Sequence, residues 1–112
     1  MKMLQVHTKY LDRFSACIDA ERIKFPMTVR KWKPGDRFYP LGMKQQKKLS
    51  DYFIDCKYSI LEKESKLILE SNGTIIWIIG DRLDNRFRIT SLTKRALILK
   101  SAKKAMMIVP LK

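Results

Sequence analysis

The stretch that most narrows the fold is Asn72-Gly73 followed by Thr-Ile-Ile-Trp-Ile-Ile-Gly from Thr74 to Gly80. Asn-Gly suits the two positive-φ positions of a type I′ turn, so it predicts a hairpin between a strand at Leu67 to Glu70 and a second strand from Thr74. An unbroken β-branched and aromatic run of this length reads as a central strand buried on both faces, which assigns Trp77 to the core.

The other elements arrange themselves around that hairpin. A short strand is expected from Ala16 and a clearer one from Met27, with Met27 and Val29 on one face and Thr28, Arg30 and Trp32 on the other, because strand side chains alternate. Lys33-Pro34-Gly35-Asp36 has the composition of a tight turn. Leu49, Phe53 and Cys56 form an apolar helical stripe that Tyr52 and Ile54 widen. Ser59-Ile60-Leu61-Glu62 fits a capping box and predicts a second short helix. Ala96 to Leu99 reads as a buried strand and Met106 to Val109 as an edge strand. The pattern predicts an α+β fold, a small single domain of mostly antiparallel sheet with two short helices. Residues 1–15 read as a linker or a cloning-dependent start, and residues 16–112 as the domain.

Charge narrows the partners. The chain has 24 Lys and Arg against 11 Asp and Glu, a formal net charge of +13. Every acidic residue lies at or before Asp84, so the last quarter is purely cationic. Such a balance points to a polyanion, with nucleic acid first and an anionic membrane second, and a solvated basic face as the plainer reading. No apolar run exceeds Ile75 to Ile79, too short to span a bilayer, and nothing near the start has the form of a signal peptide. Cys17 and Cys56 form no C-x-x-C pair and accompany a single His7, so packed thiols are expected rather than a zinc site, in a reducing, cytoplasmic setting.

The candidate site is the stretch from Arg30 to Lys57. Arg30 and Trp32 on one strand face could grip phosphate or stack on a base, or simply cover the sheet. Lys47 and Lys48 enter the first helix at its N-terminus, where they oppose the macrodipole unless an anion sits between them. Asp51 and Asp55, four residues apart, are expected to pair with Lys47, Lys48 and Lys57 rather than to do acid/base work. Asp36 reads as a turn cap or a partner for Arg37. Arg82, Arg86 and Arg88 sit close together and are expected at one sheet edge.

The run RKWKPGDRFYPLGM followed by KKLSDYFID, and then GTIIWIIGDRLDNRFRIT, resembles the C-terminal domain of tRNA(Ile)-lysidine synthase over about residues 23–99. The resemblance implies an α+β domain that helps an ATP-dependent ligase, which joins lysine to the wobble cytidine of tRNA(Ile), to grip the tRNA body and its acceptor stem. The Ser-Gly-Gly-x-Asp-Ser loop of the family's catalytic domain does not occur in this sequence, and the four glycines stand apart. The resemblance therefore implies a non-catalytic domain with no cofactor of its own, ATP and magnesium belonging to the N-terminal catalytic domain of the same polypeptide. It implies tRNA(Ile) and that catalytic domain as partners, no membrane, and a homodimer as an alternative. Matching positions are Arg30, Trp32, Asp36, Arg37, Lys47, Lys48, Asp51, Arg82 and Arg86. The family usually has Gly and then a basic residue where this chain has Gln45 and Gln46.

The RNA-binding set expected is Arg30, Trp32, Arg37, Lys44, Lys47, Lys48, Lys57, Arg82, Arg86, Arg88, Lys94 and Arg95. Double-stranded RNA is recognised mostly by shape, phosphates and 2′-hydroxyls, so base-specific reading is expected to be weak. The alternatives are a docking or dimerisation domain with only general electrostatic RNA affinity, and an enzymatic role for Asp36, Asp51 and Asp55 that would need a pocket and perturbed pKa values.

Overall fold

In the computed structural model, residues 14–102 and 105–110 are described. Of the stretch expected to be a linker, residues 1–13 lie outside the described residues. Strand β1 (Ser15–Asp19) already begins at its end and pairs antiparallel with β8 (Ala96–Ala102), which in turn pairs with β9 (Ala105–Pro110) at the sheet edge. A second antiparallel sheet runs β2 (Met27–Lys31), β5 (Leu67–Ser71), β6 (Thr74–Ile78), β7 (Arg82–Leu83). A two-residue ladder joins β3 (Arg37–Phe38) to β4 (Lys47–Lys48). Two helices, α1 (Leu49–Asp55) and α2 (Ile60–Glu64), lie between β4 and β5. The α+β architecture with two short helices is the one the sequence predicts, divided between two sheets and a small ladder.

The hairpin at Asn72-Gly73 forms as its composition requires. Asn72 and Gly73 take φ of 47° and 88°, and Ser71 pairs with Thr74 across the turn. Pairing along β5 and β6 steps from Leu69↔Trp77 to Glu70↔Ile75, so Ile76 is an extra residue on β6, a β-bulge. The bulge resets the alternation of a run that would otherwise send successive residues to opposite faces. Ile76 and Trp77 pack together with Leu69, Phe87 and the β1/β8 residues Ala16, Ile18 and Leu99, while Ile75 and Ile78 join Ile68, Phe38, Leu49, Tyr52 and Phe53 in a second cluster. The sheet containing β6 therefore has a core on each face, one shared with the β1–β8–β9 sheet and the other with α1 and β3.

α1 is held to its cluster by Leu49 and Phe53, both fully buried. It is also held by Tyr52, whose hydroxyl donates to Asp81 along with that of Tyr58, beside the Lys66 ammonium 3.3 Å from the same carboxylate. Burial, then the Asp81 carboxylate, push the Tyr52 hydroxyl well above its usual range, so it serves as a donor. Ser59 caps α2 in the full capping box with Glu62.

Candidate nucleic-acid interface

The turn after β2 builds one wall of the site. The Lys33 carbonyl accepts from the Asp36 N–H at 3.1 Å, with Gly35 at φ 96° in the third position where a type II turn requires it. Asp36 caps this turn, its carboxylate accepting from the Lys33 N–H at 2.7 Å, as the sequence suggests. Its cationic partner, however, is Arg30 and not Arg37: two guanidinium bonds of 3.0 and 2.9 Å make a fork. Arg30 also donates to Glu70 at 3.1 Å and to the Lys31 carbonyl at 3.0 Å. Four of its five N–H groups are thus used within the protein. Burial pushes the Asp36 carboxyl up, but Arg30 and the Lys33 N–H outweigh it and hold the group below its usual range.

Trp32, expected on the same face as Arg30, packs edge-on against Phe53 at 5.0 Å and donates its indole N–H to the Lys63 carbonyl at 2.7 Å. It docks α2 against the core, and the indole is engaged at both its ring and its N–H.

The second wall follows from the β6 bulge. The carbonyl of the extra residue Ile76 accepts from the Asp84 N–H at 2.7 Å, which places Asp84 beneath the loop after β3. That loop is stitched to it: the Tyr39 N–H donates to the Asp84 carboxylate at 2.9 Å, the Asn85 N–H to the Tyr39 carbonyl, and the Gly42 N–H to the Asn85 side chain. Asp84 is fully buried and grips Arg86 through Nε at 3.0 Å and one terminal nitrogen at 2.9 Å. The guanidinium also lies over the Tyr39 ring, 4.5 Å from its centroid. The Asp84 bond raises the Arg86 pKa further. Because Asp84 occupies only the edge that includes Nε, the opposite edge keeps N–H groups on both terminal nitrogens, a fork suited to a phosphate.

Between the walls lies a cleft of about 280 Å³ lined by Arg30, Asp36, Arg37, Gln46, Thr74 and Arg86, together with Ile75. Arg37 is exposed and its side chain has no partner among the described residues. In the ladder its register partner is Lys48, also exposed and unpaired among the described residues. Like charges directly opposite each other on a strand pair are destabilising, and a bound anion relieves them. Lys47, one residue away, instead pairs with Asp55. The first helical N–H is also occupied, since Leu49 donates to the Asp36 carbonyl at 3.0 Å.

The structure thus brings Arg30, Arg37 and Arg86 to one cleft, with Lys48 opposite Arg37. Arg82 donates to the Leu41 carbonyl at 2.6 Å and Arg88 to the Asn85 carbonyl at 2.8 Å, bracing the loops beside the cleft rather than lining it. Arg95 pairs with Glu21 at 3.3 Å, while Lys44, Lys57 and Lys94 are exposed and do not line it. Three residues of the site escape sequence reasoning: Asp84, Gln46 and Thr74. The Asp-x-Arg spacing of Asp84 and Arg86 is the one local signal that could have pointed to the clamp. Among the described residues no group of His, Cys, Asp and Glu could hold a metal ion, and no helix is long and apolar enough to cross a membrane.

The family model described as the TilS substrate C-terminal domain matches residues 27–98. A tRNA(Ile)-lysidine synthase of Parabacteroides distasonis is 54% identical over 84 residues, 75% of this chain and 19% of the relative. Another, of Bacteroides thetaiotaomicron, is 46% identical over 89 residues, 80% of this chain and 21% of the relative. The chain spans about a fifth of the length of these relatives. A solved structure described as a crystal structure of a TILS C-terminal domain superposes with a TM-score of 0.67 at 23% identity, over 92% of this chain and 75% of that one, and has the same fold.

Proposed function

The chain belongs to the TilS substrate C-terminal domain family, and from that premise we propose that it is the part of a tRNA(Ile)-lysidine synthase that grips the tRNA body, the acceptor stem included. On this reading the ligase chemistry, with its ATP and magnesium, belongs to the catalytic domain outside the chain, and this domain supplies position and affinity. The observation that supports it best is the cleft itself: Arg86 is locked by a buried carboxylate with one donor edge left open, beside the unpaired, mutually repelling Arg37 and Lys48.

A pre-oriented fork loses little conformational entropy when a phosphate arrives, and phosphate contacts fix the register of a bound duplex without reading its sequence. The net charge of +13 adds long-range attraction that draws a polyanion to the surface. The test is the double substitution of Arg37 and Lys48 by Ala. RNA duplex affinity should fall, and its log-log salt dependence should become shallower by about 0.9 for each phosphate that is no longer neutralised. An unchanged salt slope rules out phosphate binding at this corner.

A docking role toward the rest of the enzyme has its own support in Ile54, Ile60 and Leu61, which leave apolar side chains exposed on α1 and α2. Replacing Ile60 and Leu61 by Ser in the intact enzyme should then impair assembly while leaving the RNA affinity of this domain unchanged.

A further inference from the structure

The charge of the cleft is more specific than that of the surface around it. Arg30, Arg37 and Arg86 bring three positive charges, and three carboxylates hold two of them: Asp36 and Glu70 on Arg30, and Asp84 on Arg86. Arg30 has one N–H left over, Arg86 has three and Arg37 all five. With Lys48 opposite Arg37, four cations face these three carboxylates, so the site offers many oriented donors and a formal charge of about one. That combination suits a group with a single negative charge better than a terminal phosphate or a nucleoside polyphosphate, whose further charges would face Asp36 without a counter-ion.

The rest of the lining is neutral and able to hydrogen-bond. Gln46 and Thr74 each line the cleft, and neither side chain has a partner among the described residues. Gly35 and Gly73 also line the cleft, and an added Cβ at either would meet no atom within 4 Å, so no side chain packs over the backbone there. About 280 Å³ exceeds a lone phosphate and sits near the lower end of small-molecule clefts, about 300 Å³.

We propose that this cleft seats one internal phosphodiester of RNA together with its adjoining ribose, the phosphate on Arg37 and Arg86 and the 2′-hydroxyl on Gln46 and Thr74. The proposal rests on the RNA-binding reading above and names the unit bound. The 2′-hydroxyl, both donor and acceptor, is what separates RNA from DNA at such a site.

The experiment compares an RNA duplex with the same duplex fully substituted with 2′-fluorine, which keeps the A-form shape and removes the hydroxyl donor, with ATP as a competitor. The wild-type chain should bind the hydroxyl duplex about three- to tenfold more tightly, the worth of one or two hydrogen bonds. Gln46→Ala with Thr74→Val should bring that ratio to about one while the cost of Arg86→Ala remains. ATP should compete no better than an equal ionic strength of salt. Equal wild-type binding to the two duplexes, with Arg86→Ala still costly, overturns the hydroxyl reading and leaves the phosphate seat. Duplex binding unaffected by Arg37→Ala and Arg86→Ala overturns the RNA-binding reading of the cleft itself.

Discussion

Arg86→Lys separates the geometry of the proposed phosphate fork from its charge. In the folded protein Arg86 makes two bonds to a carboxylate that is fully buried, at 3.0 and 2.9 Å. A lysine can keep one such bond but not two, and it has no second planar edge. Asp84 retains two backbone donors, the Tyr39 N–H at 2.9 Å and the residue 86 N–H at 2.8 Å, so the carboxylate is not orphaned. The Arg86 side chain is 43% exposed, which places the missing bond at the low end for a charged hydrogen bond, about 1 kcal/mol. For a domain of this size that lowers Tm by about 4 °C. RNA affinity should fall further, about tenfold or more, since a bidentate grip is replaced by a point charge. The salt slope should stay near the wild-type value because the cation remains, whereas Arg86→Ala should take about 0.9 from it. Anisotropy titrations of a labelled RNA duplex over a salt series, beside thermal melts, read all of these. Wild-type affinity in Arg86→Lys refutes the reasoning, because a lysine supplies the same charge without the fork.

Two further predictions concern the frame of the site. Asp36 is held below its usual pKa in the folded chain, so its contribution is fully present above the unfolded value of about 3.9 and is lost as pH falls through the lower folded value; Asp36→Asn should flatten the acid limb of stability against pH, and an unaltered limb in urea melts contradicts the Arg30 clamp. Ser59→Ala removes the side-chain half of the α2 capping box and should cost about 1 kcal/mol, seen as faster hydrogen exchange at the Glu62 N–H, which donates to the Ser59 hydroxyl at 3.1 Å; unchanged exchange there denies the cap its role.

What the sequence discloses depends on how far apart the partners lie. The Asn72-Gly73 turn, the central β6 strand and the Ser59 capping box are local codes, each complete within a few residues, and all three are present as expected. Arg30 and Trp32 sit two residues apart and look like one surface pair. Their partners, Asp36 and the distant Glu70 for Arg30 and Lys63 31 residues away for Trp32, separate them into a clamp and a helix dock. No periodicity contains that information. The Ile76 bulge is similarly hidden, because an unbroken apolar run has no alternation whose reset could be noticed. Yet the bulge orients Asp84, and through it Arg86. The basic composition draws attention to cations, but it does not distinguish Lys47, neutralised by Asp55, from Lys48, which stands unpaired beside it among the described residues.

The central claim is that the domain grips tRNA through placed phosphate contacts rather than by net charge. The most direct measurement is the affinity of the chain for a tRNA(Ile) transcript over a salt series, beside an unrelated duplex RNA and polyaspartate. Placed contacts predict the tightest binding to the tRNA, a measurable hold on the duplex, and binding to polyaspartate that vanishes at physiological salt. Equal affinity for all three at every salt concentration contradicts the account, since a surface that cannot tell a phosphate backbone from a carboxylate chain has no use for an oriented guanidinium.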